Sequence, residues 1–262
     1  MITVTQVQIE IWLALFWWPF LRILGLLLAD PFFSSRAIPI KVRVGLALLL
    51  TMLVAPLLPT MPSVAVVSPE GMLIALRELL IGLSMGFVMR LIFSAVELAG
   101  HLSGLQMGLG FATFYSPQSA TNSLVISQLM SLFMLLAFLS ISGHLMVLQV
   151  LIDSMVQLPV GGISLSAGGF KQIANLGAIV FRTAVLLSLP VLAALLITNL
   201  AIGVMTRAAP QLNVFAVGFP LTLAVGFAAM YFSLPMLVPH IDQALASYTR
   251  YIGQILTAFS QK

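Results

Sequence analysis

Ser142, Gly143 and His144 stand together in the stretch SISGHL (140–145). A serine beside a histidine has the residue types of nucleophilic catalysis. The fuller G-x-S-G pattern of an intramembrane serine nucleophile needs glycine at position 140, where this chain has Ser140. A polar helix-packing patch is the simpler reading. His101, His144 and His240 lie far apart and without the i, i+4 pairing that puts two imidazoles on one helical face. Arg77 and Glu78 are sequence neighbours, so on a helix they diverge and are expected to meet different partners. Asp153 reads as a solvated helix terminus. No phosphate-cradling glycine loop follows a strand pattern, and the absence of cysteine removes thiolate chemistry. No catalytic residue, metal site or cofactor is expected, and the chain reads as a non-enzyme.

The elements that would position any site are membrane helices. Of 262 residues, 61% are hydrophobic and 7% charged, against about 25% charged in soluble domains. With a mean hydropathy of +1.15, the chain cannot cover a water-exposed surface. The net charge of +4 comes from so few groups, without a basic stripe, that nucleic acid is not an expected partner; membrane lipid is. No basic residue precedes Arg22, so the first apolar stretch is not expected to be a cleaved signal.

Six apolar stretches approach or exceed the ~20 residues that cross a hydrocarbon core: roughly Ile11–Ala29, Val42–Leu58, Met72–Ala95, Leu124–Ile152, Ala178–Met205 and Leu212–Pro239. The expected fold is all-α and polytopic, with both termini on one side. Counting Arg36, Lys41, Arg43 and Arg207 as cytoplasmic puts the termini outside, although Lys171, Arg250 and Lys262 then fall on the wrong side. Arg22, Arg77, Glu78, Arg90 and Arg182 lie within or beside apolar segments, and Pro19, Pro190, Pro220 and Pro235 interrupt them. Charges at the bilayer centre and unpaired proline-freed carbonyls need protein neighbours. The sequence therefore reads as part of a larger assembly.

At 100° per residue, Gly82, Gly86, Arg90, Phe93, Glu97, Gly100, Gly104 and Gly108 fall within about 80° of one another. This small-xxx-small spacing marks a face for close helix packing, running past the apolar stretch. It leads into GHLSGLQMGLGFATFYSPQS (100–119), which has four glycines in eleven residues and no charge apart from His101. Ser116 and Pro117 suit the N-cap and first turn of a following helix. On the residues alone, Gln106–Asn122 serves equally well as an interhelical packing loop or as an apolar seal.

The blocks SSRAIPIKVRVGLALLL (34–50), RELLIGLSMGFVMRLIFSAVELAGHLSGLQMGLGFATF (77–114), GHLMVLQVLIDSM (143–155) and RAAPQLNVFAVGFPLTLAVGF (207–227) resemble the FliR family of flagellar biosynthesis proteins. The resemblance covers almost the whole chain in order and length. QMGLGFATF and APQLNVFAVGFPLTL are its most specific blocks. Ser116 departs from the acidic residue common before that proline in the family; either type caps a helix.

The resemblance implies a subunit of the type III export gate. In such a gate one FliR joins several FliP and FliQ chains in a helical pore complex, set high relative to the bilayer of the bacterial inner membrane. FlhB and FlhA would adjoin it within the flagellar basal body, and unfolded export substrates would pass through. Residues 1–170 would form a FliP-like part and 171–262 a FliQ-like hairpin turning at RAAPQLN. It further implies that the loop plugs the pore through Gln106, Met107, Gly108, Leu109, Gly110, Phe111, Phe114 and Tyr115. Apolar side chains would exclude water, methionine would adapt to an irregular lumen, and glycines would let the backbone tuck and move. The alternatives are the equivalent subunit of a virulence injectisome and a small-solute transporter with Arg90 and Glu97 along its path.

Overall fold

The computed structural model describes residues 6–58, 62, 64–110, 125–161, 165–211 and 213–260. All regular structure among them is helical: α1 (Gln6–Ala29), α2 (Ile40–Val54) with a 3-10 turn at Ala55–Leu57, α3 (Pro69–Gln106), α4 (Val125–Ser140), α5 (Gly143–Gln157), α6 (Ala167–Ala208) and α7 (Val214–Ser260). Five helices are long and apolar enough to cross a membrane, and the bent α4–α5 pair makes a sixth if counted as one span.

Helix boundaries follow local chemistry. At the start of α3, Ser68 Oγ accepts from Gly71 N at 3.0 Å, with Pro69 in the first helical position and Glu70 beside it. The helix runs 38 residues, eleven beyond the apolar stretch ending at Ala95. Its end is capped by Gly108 at φ 87°: Gly108 N donates to Leu105 O and Leu109 N to Gly104 O, the paired bonds of a glycine-terminated helix.

The expected single segment Leu124–Ile152 is instead two helices. Ser142 adopts φ 59°, ψ 31° and caps α5, so SISGHL forms a turn rather than a continuous packing face. Asp153 lies inside α5, not at a segment end. The prolines sit within helices: Pro19 in α1, Pro190 in α6, and Pro220, Pro235 and Pro239 in α7. Near the last of these, His240 Nδ1 donates to Met236 O at 2.7 Å.

The described contacts resolve two compact units, Met1–Leu91 with Ser142–Gly177 and Leu245–Lys262, and Ile92–Ile141 with Ala178–Ala244. Both draw on residues either side of position 170. In the first, the core includes Trp18, Ile23, Leu26 and Leu27 of α1, Ile81, Met85 and Met89 of α3, Val147 and Leu151 of α5, and Tyr248 and Phe259 of α7. In the second, it includes Val96, Ala99 and Met107 with Met130, Met134 and Phe138, where Phe93 meets Phe138 edge-on at 5.4 Å.

Asp30 closes α1. Its Oδ1 accepts from Phe32 N at 2.9 Å and Phe33 N at 3.1 Å, while Oδ2 is buried without a partner among the described residues. Burial pushes its carboxyl up from 3.8 to about 6, against the lowering pull of the two amides. A raised folded-state value means this group favours the fold fully below about pH 3.8 and loses that contribution as pH rises through about 6. Asp30→Asn keeps the Oδ1 acceptor without the charge. It is expected to flatten the pH profile of thermal unfolding between pH 4 and 7, with any gain at neutral pH offset by the amide nitrogen it buries at the Oδ2 position.

Candidate functional site

Two features stand out from the residues upward: the glycine contacts of α3, with the buried ions they deliver, and the root of the loop that follows α3. A Cβ on Gly82 would strike the Arg22 carbonyl oxygen, and on Gly86 it would lie 2.6 Å from Leu26 O and 2.7 Å from Asp30 N. Gly25 of α1 answers from the other side, with Leu79 O 2.6 Å from its would-be Cβ. Only hydrogen at these positions permits so close an approach of α1 and α3. In the second unit, a Cβ on Gly100 would lie 2.9 Å from Ser127 Cα and Met130 Cγ of α4, and Gly104 is buried. Arg90 and Glu97 are exposed, so the two charges of that stripe stand apart from the glycines' neighbours.

Glu78 lies one turn before Gly82 on the same face of α3, so the close approach brings it to Arg22. Arg22 Nε donates to Glu78 Oε2 at 2.7 Å, with Nη2 2.6 Å from the same oxygen, and both side chains are fully buried. Nη1 donates to Ser154 O at 2.9 Å and Nη2 to Leu158 O at 2.8 Å. Every nitrogen of this guanidinium is engaged. It also occupies the negative end of the α5 dipole, where Ser154 O already accepts from Leu158 N at 2.9 Å and Leu158 O lies past the last helical turn. Arg77 reaches Pro159 O with both terminal nitrogens at 3.4 Å and approaches Glu78 Oε1 at 3.5 Å. The neighbours thus do have different principal partners, but they share one cluster. Sequence reasoning flagged Arg22 and Glu78 separately and missed the pairing. Counting the glycine stripe back one turn puts Glu78 on the packing face of α3, but no local pattern names Arg22 as its partner.

Of the expected loop residues, Gln106 to Gly110 are described; Phe111, Phe114 and Tyr115 lie outside the described residues, as do Ser116 and Pro117. The root of the loop is pinned to α7. Met107 is fully buried, its carbonyl accepts from Thr222 Oγ1 at 3.3 Å, and its side chain fills the space over Gly226, whose would-be Cβ lies 2.5 Å from Met107 Cγ. Gly110 has Leu105 Cδ2 3.0 Å from its would-be Cβ. Thr222 and Gly226 were not singled out from sequence, because their partner is more than a hundred positions away. Among the described residues, no three of His, Asp and Glu gather as a metal site would require.

A family model, bacterial export proteins family 1, matches residues 13–248. The chain is 39% identical over 257 residues to the flagellar biosynthetic protein FliR of Escherichia coli (strain K12), with 98% of each chain covered. It is 38% identical to that of Pectobacterium carotovorum subsp. carotovorum, with 99% of each covered, and 34% identical to that of Aquifex aeolicus (strain VF5), with 92% and 93% covered. The chain belongs to the FliR family of bacterial export proteins. With its long apolar helices, it is an integral membrane protein of the flagellar export apparatus. FliR proteins are export components and not known enzymes, and the three relatives all carry the flagellar name.

Proposed function

We propose that the chain builds the secretion pore of the flagellar type III export gate together with FliP and FliQ, in the bacterial inner membrane at the basal body. Residues 1–170 act as the FliP-like part and 171–262 as the FliQ-like hairpin, FlhB and FlhA adjoin the complex, and unfolded export substrates are its cargo. The loop 106–122 closes the pore.

The observation that carries the assembly is the extent of bare apolar helix. On α6, large hydrophobic side chains are exposed from Phe170 to Val204, among them Phe181 at 66%, Leu196 at 67% and Leu200 at 71%. That run is about 50 Å of helix. A hydrocarbon core of about 30 Å covers about 39 Å of helix even at a 40° tilt. The remainder needs protein, and other helices of the same character supply it. For the plug, support comes from the family and from the anchored root: Met107 is fixed on α7, while an uncharged, glycine-bearing segment extends beyond it.

Expression of the chain alone and together with FliP and FliQ tests the assembly. The pore reading expects rapid loss of the lone chain, and a complex that copurifies when all three are made. A lone chain that accumulates and moves a small solute in vesicles would establish the transporter instead.

A further inference from the structure

Helix α2 has two unlike sides. Ala47, Thr51 and Val54 are buried and lie within about 60° of one another around the helix. The opposite arc holds Val42, Leu48, Leu49, Met52 and Leu53, all exposed. With its terminal 3-10 turn, the apolar element Ile40–Leu57 has 18 residues, about 27 Å of helix and close to one hydrocarbon thickness. That length matches a bilayer without surplus.

One end of this element carries a fixed basic cluster. Arg43, on the buried side, donates from Nη2 to Ser34 O at 2.9 Å and Ser35 O at 2.6 Å. These bonds tie the connector between α1 and α2 back over the first turns of α2. Arg36, next in the connector, and Lys41, on the exposed arc, are thereby held at the same end of the helix, and both are exposed. No acidic residue occurs between Pro31 and Leu58 to neutralise them. The nearest carboxylate in sequence, Asp30, is buried and turned to the Phe32 and Phe33 amides.

We propose that Arg36 and Lys41 bind the phosphate of an anionic phospholipid whose acyl chains lie along the exposed arc of α2, so that Ile40 marks the headgroup level of one leaflet. Charge and geometry converge on this occupant. A row of apolar side chains one hydrocarbon thickness long, with uncompensated cations at one end only, complements an anionic amphiphile. Juxtamembrane basic residues draw anionic lipids in the same way. Arg43 acts as the positioning residue, committed to the connector carbonyls.

The test uses the full chain in detergent-solubilised complex, offered phosphatidylglycerol or phosphatidylcholine, with retained lipid counted by native mass spectrometry. Wild type should retain phosphatidylglycerol roughly tenfold over phosphatidylcholine, and Arg36→Gln with Lys41→Gln should bring the ratio close to one. Excess inorganic phosphate should not displace the lipid, because the acyl chains contribute through α2. Equal retention of the two lipids, an unchanged ratio in the double variant, or displacement by phosphate alone would overturn the proposal. A photo-crosslinking residue at Leu49, with all the cations intact, gives an independent reading in cells. Lipid adducts support it, whereas a protein adduct would seat a partner subunit on α2 and refute it.

Discussion

Arg22→Met is expected to cost the folded complex about 3–5 kcal/mol, more than any other single change considered, because it strips a fully buried carboxyl of its cation. Glu78 has Arg22 within 2.7 Å and only the more distant Arg77, at 3.5 Å, to replace it. The carbonyl of Leu158 loses the Arg22 donor as well, while that of Ser154 keeps only its bond from Leu158 N. Glu78→Met should also be costly, since it strands a guanidinium. The double variant should lose less than the sum, with a coupling of at least about 1.5 kcal/mol, because it removes both desolvated charges together. Thermal unfolding of the purified complex measures all three variants; additive losses would mean the two side chains do not interact in the folded chain.

Gly82→Ala is the second large effect, about 3 kcal/mol, from one added methyl. That methyl meets the backbone of Arg22, its carbonyl oxygen and carbon, with Leu26 N 2.9 Å away, and backbone cannot rotate aside as a side chain can. α1 and α3 must separate, which also lengthens the Arg22–Glu78 pair one turn below. Gly45→Ala is the matched control. Among the described residues, no heavy atom beyond its own helical turn lies within 4 Å of its would-be Cβ, so the substitution should be neutral or stabilising by up to about 1 kcal/mol through helix propensity. Retention of complex after graded heating separates the two. Equal behaviour would remove the close packing of α1 on α3 from the account.

How much was legible in the sequence depended on the range of the interaction that settles each feature. Helix identity and the spacing of Gly82, Gly86 and Gly100 are local patterns, and each of these glycines does meet a neighbouring helix. The end of α3 at Gly108 is also local, since one glycine with positive φ closes it. By contrast, the break at Ser142 is hard to read from sequence because a non-glycine residue takes the left-handed conformation there, while Gly143 beside it opens the next helix. The charges were harder still. Arg22, Arg77 and Glu78 are buried while Arg90 and Arg182 are exposed, yet all five sit in similar apolar surroundings in sequence. Only the fold decides, by placing Glu78 and the end of α5 within reach of Arg22 from 56 and more than 130 positions away. The burial of Asp30 likewise depends on what packs around the turn after α1, which no local pattern carries. At the candidate site the glycine-rich run after α3 was evident, but its anchoring by Thr222 and Gly226 spans too much chain for any local pattern.

Ion leak through the assembled gate tests the central claim most directly. Complexes of the full chain with FliP and FliQ, carrying either the intact loop or one shortened within 110–119, would be placed in vesicles and their ion flux compared. Assembly would be verified by copurification of all three chains. The plug reading predicts that the shortened loop raises small-ion flux well above the intact gate while the complex stays whole. Flux unchanged from the intact gate, in a complex of normal composition, would contradict it.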